Sequence, residues 1–266
     1  MPHVRVAIVG NLSLDLVDGA PPRPGGPPYY ASRALAALGV PARVRVKCAA
    51  GDRRLLEPAF SRIGIGPEWI SGPTTATYSF SYDGETRTME VRALGEPWSV
   101  DDVAGLDTQW VHVGALYRGE FPQETLAALH ESGARVLLDG QGLVRPAATG
   151  PLELTPEPDT SFLRSVSVLK LSEDEAKALV GRLDERRLSA LGVPEVIVTL
   201  GSRGCIVVAR RALVHVPAEP REGVDPTGAG DAFAAAYVVA RSRGYGSRPA
   251  AQRATRLVVR LLERTR

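Results

Sequence analysis

The sequence predicts an α/β protein with a mostly parallel central sheet flanked by helices. Short runs of β-branched residues alternate with helical patterns along the 266 residues. Such alternation is typical of parallel sheets that are covered by helices on both faces. The length is sufficient for one large domain with a substantial core. We therefore expect residues 1–266 to form a single α/β domain.

Local patterns predict the individual strands and helices in chain order. Runs rich in β-formers predict strands at residues 4–9, 44–49, 110–116, 135–139, 166–171, 196–200 and 205–209. Apolar residues at helical spacing predict helices at residues 29–38, 122–132, 173–180, 185–191, 232–243 and 249–263. Residues 201–204 are Gly-Ser-Arg-Gly, and so short a connection predicts that the last two strands are antiparallel.

One segment departs from this alternation. Residues 74–93 place alternating β-formers on both sides of Asp83-Gly84, a strong hairpin signal. A hairpin this early in the chain does not fit a parallel core, so we interpret residues 71–95 as a small β lid, with residues 11–20 as a candidate second part. The alternative is an ordinary edge hairpin. Because exposed strand edges pair readily with other chains, a homodimer through the lid is a further hypothesis.

Composition excludes several classes of function. The net charge is +2 and the basic residues form no block, which argues against nucleic-acid binding. No run is long and apolar enough to predict a membrane span or a signal peptide. Cys48 and Cys205 lie far apart in apolar runs, as expected of reduced thiols in the cytoplasm. The four histidines lack the spacing of a zinc site.

The most informative feature is the stretch at residues 225–231, Asp-Pro-Thr-Gly-Ala-Gly-Asp, directly before a predicted helix. Its glycines would present bare N–H groups at the positive end of a helix dipole, where phosphates bind. Asp231 would repel such an anion unless its carboxylate has another task, and accepting a proton from an attacking hydroxyl is one. The alternative is that Asp231 is an ordinary N-cap.

Further polar residues follow the predicted strands. In open parallel sheets, ligands bind beyond the carboxyl ends of the strands, so these residues should surround one pocket. They are Asp15, the pair Gly25-Gly26, the run Asp139-Gly140-Gln141, Glu175, and Thr199-Leu200-Gly201. The sequence contains no GxxxxGK[ST] phosphate loop, no GxSxG and no GxGxxG, which argues against P-loop enzymes, serine hydrolases and Rossmann dehydrogenases.

Residues 225–231 resemble the carboxy-terminal signature of the ribokinase-like (PfkB) small-molecule kinases. The resemblance extends over nearly the whole chain, because Gly25-Gly26 with the following helix, the Thr199-Leu200-Gly201 strand end and the lid are also similar to parts of that family. It implies a ribokinase-like fold and an ATP-dependent kinase that uses Mg²⁺ and phosphorylates a hydroxyl of a small polyol, sugar or nucleoside.

The resemblance also implies a role for each matching residue. Asp231 would be the catalytic base, and Gly228, Ala229 and Gly230 would form an anion hole for the transferred phosphoryl group. Contacts to the acceptor are expected from Asp15 and Gly26, with Gly25 and Gln141 as further candidates, and contacts to the nucleotide from Thr199, Gly201, Gly204 and Thr227. Tyr30 is a separate hypothesis, in which its ring or hydroxyl replaces a family asparagine in binding the acceptor. Glu175 matches the acidic end of the family's Asn-x-x-Glu element, which organises magnesium through water.

Several positions depart from the family pattern. Pro27 and Tyr30 stand where many sugar kinases of the family carry asparagines, so ribose or fructose bound in the usual way is not expected. Ser172 replaces the asparagine of the magnesium element. Residues 139–145 resemble a sub-branch that includes inositol and polyol kinases. Two alternatives stay open: a kinase for the hydroxymethyl group of a vitamin precursor, and a catalytically silent metabolite-binding protein with the kinase fold.

Overall fold

The structure is a computed structural model that describes residues 5–83, 86–156, 159–220 and 225–263. Within these ranges, none of the helices combines the length and hydropathy needed to cross a bilayer. The strands are β1 (Val6–Asn11), β2 (Ser13–Val17), β3 (Arg23–Gly25), β4 (Arg43–Ala49), β5 (Glu68–Gly72), β6 (Ala76–Asp83), β7 (Thr86–Ala93), β8 (Trp110–Val113), β9 (Arg135–Asp139), β10 (Gly150–Pro151), β11 (Val168–Ser172), β12 (Glu195–Thr199), β13 (Cys205–Ala209) and β14 (Ala212–Val216).

The helices flank these strands. They are α1 (Pro27–Leu38), α2 (Arg53–Arg62), α3 (Val100–Val103), α4 (Gln123–Glu131), α5 (Gln141–Val144), α6 (Glu173–Val180), α7 (Glu185–Ser189), α8 (Ala229–Ser242) and α9 (Ser247–Glu263). Short 3₁₀ turns lie at Ala50–Asp52, Ser161–Ser165 and Gly201–Arg203.

A nine-stranded sheet forms the centre, in the order β14-β13-β12-β11-β9-β8-β1-β4-β5. Pairing is parallel from β5 to β12, and β13 and β14 add two antiparallel strands at one edge. The mostly parallel sheet and the antiparallel pairing of β12 with β13 confirm the sequence predictions. The direction of chain progression reverses at β1, since β4 and β5 lie on one side of it and β8 on the other.

Each face of this sheet carries its own apolar core. Side chains alternate between the faces with period 2, so Val6 and Ile8 of β1 pack in one core while Ala7 and Val9 pack in the other. The first core contains α1, α8 and α9, and the second contains α4, α6 and α7. Helix α8 is apolar nearly all round and almost wholly buried, which is typical of a central helix.

A second, five-stranded sheet lies beside the first, in the order β10-β7-β6-β2-β3, and we call it the lid sheet. The predicted hairpin of β6 and β7 is confirmed, although Gly84 of its turn lies outside the described residues. The hairpin is not an isolated flap, because β2 pairs in parallel with β6 and β10 pairs with β7. Tyr78, Phe80 and Leu116 belong to a small core beneath it.

Several predicted boundaries differ from the structure. The strand predicted at residues 110–116 ends at Val113, because the chain then turns toward the lid sheet and the buried Glu120 carboxylate accepts the Leu116 N–H at 2.5 Å. The helix predicted from residue 232 begins at Ala229. The first strand covers Val6–Asn11, and Val4 of its predicted range lies outside the described residues. Helix α2 was not predicted, and it contains Pro58.

Candidate active site

A cleft of ≈ 750 Å³ opens at the carboxyl ends of the parallel strands, between the main sheet and the lid sheet. This is the edge at which open parallel sheets bind ligands, and β1 is the point where strand order reverses. Helix α8 packs against β1, β8 and β9, so its first turn faces the middle of the cleft. The sequence-predicted residues that line the cleft are Asp15, Gly26, Tyr30, Gln141, Glu175, Thr199, Gly201, Gly204, Thr227, Gly228, Ala229, Gly230 and Asp231.

The glycine-rich loop before α8 is shaped by its own hydrogen bonds. The Asp225 carboxylate accepts the Thr227 N–H at 2.9 Å, and Gly228 takes φ = 76° as the N-cap of the helix. The N–H of Ala229 donates to the Pro226 carbonyl at 3.0 Å, so this amide is already engaged. For Gly228 and Gly230, the structure shows no N–H acceptor within the described ranges. The free amides of the predicted anion hole are therefore those of the two glycines.

Asp231 lies in the first turn of α8 with only 8% of its surface exposed. Its Oδ1 atom is buried and has no hydrogen-bond partner among the described residues. Desolvation and then the nearby Asp139 carboxylate raise the pKa of Asp231 to about 7, although Lys170, His112 and Arg145 oppose the shift. A buried carboxyl with such a pKa is suited to act as a general base near neutral pH.

Beneath this helix turn lies a buried charge network that the sequence analysis did not predict. Asp139 Oδ1 accepts from Lys170 Nζ at 2.6 Å, and Asp139 Oδ2 pairs with His112 Nε2 at 2.7 Å. Burial opposes the ionised form of Asp139, but Lys170 and His112 hold its pKa below the usual carboxyl range. The signal in the sequence was a lysine inside the mostly apolar strand predicted at residues 166–171.

One part of the cleft lies under the lid sheet and contains the residues predicted to bind the acceptor. Asp15 accepts from Ser13 Oγ at 2.7 Å. Gly25 does not line the cleft, because a Cβ atom at this position would lie 2.4 Å from Asp15 Oδ2. Gly25 therefore lies against the Asp15 carboxylate and does not face the cleft itself. Burial, and then the carboxylates of Asp15 and Asp231, raise the pKa of Tyr30, so its hydroxyl stays protonated.

Several buried polar atoms on the cleft wall are unpaired. Within the part of the chain that the structure describes, Tyr78 OH, Gln141 Oε1, Arg145 Nε and Asp231 Oδ1 are among those without a hydrogen-bond partner. Buried polar atoms are nearly always paired in proteins. A ligand with several hydroxyl groups would pair them. Tyr78 and Arg145 were not among the predicted site residues.

The other part of the cleft is formed by β11, β12 and the segments that follow them. Thr199 and Gly201 line it, and Gly204 has φ = 92° with the Val216 carbonyl 2.1 Å from where a Cβ atom would stand. Ser172 and Glu175 form a capping box at the start of α6, in which Glu175 Oε2 accepts the Ser172 N–H at 2.8 Å. This holds the buried Glu175 carboxylate at the cleft wall.

Magnesium commonly uses one or two carboxylates together with substrate phosphates and water. No group of three potential metal-ligating side chains occurs within the described ranges. Glu175 fits a water-mediated role, since a single fixed carboxylate faces the space where phosphates would lie.

The model of the pfkB family of carbohydrate kinases matches residues 23–258 of this sequence. The chain belongs to this family. Among curated relatives of this pfkB-family chain, the 2-dehydro-3-deoxygluconokinase of Dickeya dadantii is 34% identical over 136 residues, which cover 48% of the chain and 43% of the relative. The inositol 3-kinase of Zea mays is 35% identical over 137 residues, covering 50% of the chain and 35% of the relative. The matches thus span less than half the length of these relatives.

Solved structures agree with this fold. A pyrophosphate-dependent kinase of the ribokinase family, in complex with a pyrophosphate analog and myo-inositol, has a TM-score of 0.83 to the pfkB-family chain. The match covers 97% of this chain and 95% of the other at 22% identity, and it confirms the predicted ribokinase-like architecture.

Proposed function

We propose that the chain transfers the γ-phosphoryl group of ATP to a hydroxyl of a small polyol, sugar or nucleoside. The observation that carries this proposal is the buried Asp231 carboxylate with an unpaired oxygen, placed beside free amides at the start of a 14-residue helix. A general base beside the anion-binding N-terminus of a helix suits phosphoryl transfer, because that reaction depends on the positioning of the reactants and on charge neutralisation.

In the proposed reaction, Asp231 Oδ1 accepts the proton as the acceptor oxygen attacks the γ-phosphorus. The bond between the γ-phosphorus and the β,γ-bridging oxygen breaks, and ADP leaves. The N–H groups of Gly228 and Gly230 donate to the phosphoryl oxygens, where charge develops. The positive end of the α8 dipole favours the same charge. Magnesium, held through water near Glu175, would neutralise the phosphates of the donor.

The acceptor part of the cleft favours a polyol among the candidate substrates. The unpaired atoms of Tyr78, Gln141, Arg145 and Asp231 together call for several hydroxyls, more than a single hydroxymethyl group of a vitamin precursor would supply. Inositol 3-kinase of Zea mays is a relative, and a 22% identical kinase of the same fold was solved with myo-inositol. Both support a cyclic polyol as the first acceptor to test.

Gln141 provides a direct test of the acceptor assignment. We expect Gln141→Leu to raise the KM for the acceptor about tenfold, equivalent to about 1.4 kcal/mol, by removing one polar partner. The KM for ATP should not change. The converse comparison is Thr199→Val, because Thr199 ends β12 in the other part of the cleft, and this variant should raise the KM for ATP instead. An equal rise of both KM values in Gln141→Leu would contradict the assignment.

The decisive experiment compares wild type with Asp231→Asn on a panel of polyols, sugars and nucleosides. ATP and pyrophosphate should both be tried, because the solved kinase with a TM-score of 0.83 is described as pyrophosphate-dependent. Loss of a general base costs about 10²–10⁴-fold in kcat, with acceptor binding retained in calorimetry. Equal turnover in the variant would reject the base. Acceptor binding by wild type with every donor inactive would favour the silent binding protein.

Two further proposals concern the state of the protein. The unpaired, buried Cys48 and Cys205 fit a reducing compartment such as the cytoplasm. The exposed edge that suggested a lid-mediated homodimer is covered, because β2 and β10 pair with the two strands of the hairpin. A dimer would have to use the short outer strands or the polar outer face. Light scattering in solution tests it directly.

A further inference from the structure

We propose that the ammonium group of Lys170 is a catalytic cation that binds the transferred phosphoryl group beneath the first turn of α8, with Asp139 and His112 as its positioning residues. This proposal rests on the proposed kinase function and adds to it a charged contact that the family signature at residues 225–231 does not contain.

The position of Lys170 is the first argument. A Cβ atom at Gly230 would lie 2.8 Å from Lys170 Nζ, so the ammonium stands directly against the backbone of the predicted anion hole. Lys170 also lines the cleft although only 3% of its surface is exposed. A methyl group at position 230 would therefore push the ammonium away from this point.

The hydrogen-bonding capacity of Lys170 is the second argument. An ammonium group has three donors, and one of them is used by Asp139 Oδ1 at 2.6 Å. No further acceptor for Lys170 Nζ occurs within the described residues. Since unpaired buried donors are costly, the remaining donors call for an anionic ligand, and phosphoryl oxygens beside Gly230 would meet them.

The charges around Lys170 keep it ionised. Burial alone would favour the neutral amine, but the carboxylates of Asp139, Glu175 and Asp231 raise its pKa. Asp139 is in turn fixed by the wholly buried ring of His112. Lys170 thus stays charged and is held in one orientation at the cleft wall. A fixed charge of this kind stabilises a transition state without reorganisation.

The first test is kinetic. Lys170→Met keeps most of the length of the side chain and removes the charge, and we expect kcat to fall about 100-fold, as for other lost oxyanion contacts. The KM of the acceptor should change little. Lys170→Arg, which retains the charge, should recover part of the loss. A folded Lys170→Met variant with kcat close to wild type would overturn the proposal.

The matched control is Lys47→Met. Lys47 is the other lysine buried in a strand of the main sheet, with 4% exposure and a 2.6 Å ion pair to Asp102, but it does not line the cleft. This variant should lose stability and retain kcat. If both lysine variants lose kcat in proportion to stability, Lys170 is structural and the proposal fails.

The pH profile supplies a readout that a structural role would not move. The titratable groups that face Asp231 are Asp139, Lys170, His112, Arg145 and the Tyr30 hydroxyl. Removing the cation in Lys170→Met should move the acidic limb of kcat/KM to higher pH. Removing the anion in Asp139→Asn should move it to lower pH. If the acidic limb of kcat/KM stays at the wild-type pH in both variants, the proposed positions of Lys170 and Asp139 beside Asp231 are contradicted.

A binding experiment separates this proposal from the proposed function. Calorimetry with inorganic tripolyphosphate, without metal or acceptor, should show affinity weakened about tenfold in Lys170→Met, or about 1.4 kcal/mol, and unchanged in Lys47→Met. If wild type transfers no phosphate to any acceptor, the kinase proposal fails. The titration would still show whether the Lys170 ammonium binds a phosphate chain, because it needs no turnover. Equal affinity in wild type and Lys170→Met would refute Lys170 as an anion contact.

Discussion

The aromatic ring of Tyr30 lies directly against Gly228. A Cβ atom added at residue 228 would be 2.1 Å from Tyr30 Cδ1. Gly228 also has φ = 76°, in the region that side chains disfavour. Two independent constraints therefore require glycine here: the left-handed backbone and the close approach of the ring. Together they fix the glycine-rich loop that lines the cleft.

Gly228→Ala should consequently lose both stability and activity. Left-handed strain costs about 1–3 kcal/mol in a non-glycine residue, and the clash with Tyr30 must displace the loop as well. The matched control is Gly64→Ala, since Gly64 has φ = 70° and open space around it. Thermal unfolding of both variants isolates the clash. We expect only Gly228→Ala to lower kcat, and a loss shared by both variants would contradict the role of the ring.

The acidity of Asp231 predicts the pH dependence of the reaction. A base must be deprotonated to act, and burial together with Asp139 raises the pKa of this carboxyl to about 7. Below that pH the protonated form dominates, so kcat/KM for the acceptor should fall about tenfold per pH unit. A steady-state profile over the acidic range measures this. A limb in the ordinary carboxyl range, near pH 4, would show that the base is not desolvated.

The local sequence pattern was sufficient to predict most strands of the main sheet. Runs of β-formers located the parallel strands because strands buried on both faces are continuously apolar. The lid sheet was predicted in part, since residues 71–95 contain β6 and β7, and residues 11–20, the candidate second part, contain β2. Strands β3 and β10 were missed, because segments of three and two residues are too short to show an alternating pattern.

The candidate site was also predicted only where the local sequence carries a motif. Residues 225–231 predicted the glycine-rich helix start, and the structure brings Asp15, Tyr30 and Gln141 to the same cleft. Lys170 could not be assigned from sequence, because whether a strand residue faces a cleft or an ion-pair partner depends on which strands become neighbours. The pairing of β9 with β11 places Asp139 beside it.

Gly25 should affect the acceptor site through Asp15. A Cβ atom at residue 25 would lie 2.4 Å from the Asp15 carboxylate, so Gly25→Ala must displace that carboxylate. We expect the acceptor KM to rise about tenfold, or about 1.4 kcal/mol, with the ATP KM unchanged. Gly66→Ala is the control, because Gly66 has open space around it. An unchanged acceptor KM in Gly25→Ala would argue that Asp15 does not contact the acceptor.

The capping box at α6 allows the charge of Glu175 to be separated from its structural bond. Gln at this position can still accept the Ser172 N–H, since capping boxes use Glu or Gln. Glu175→Gln should therefore fold normally and require more Mg²⁺ for half-maximal rate, because the carboxylate charge near the metal is lost.

Ser172→Ala is the converse variant for the same element. It removes the hydroxyl that accepts the Glu175 N–H but keeps the carboxylate, so stability should fall by about 1 kcal/mol, as for other lost N-caps. Its Mg²⁺ requirement should stay close to that of wild type. Thermal unfolding and Mg²⁺ titration of initial rates compare the two variants. If Ser172→Ala shifts the Mg²⁺ requirement as much as Glu175→Gln does, the carboxylate acts through helix geometry and not through the metal.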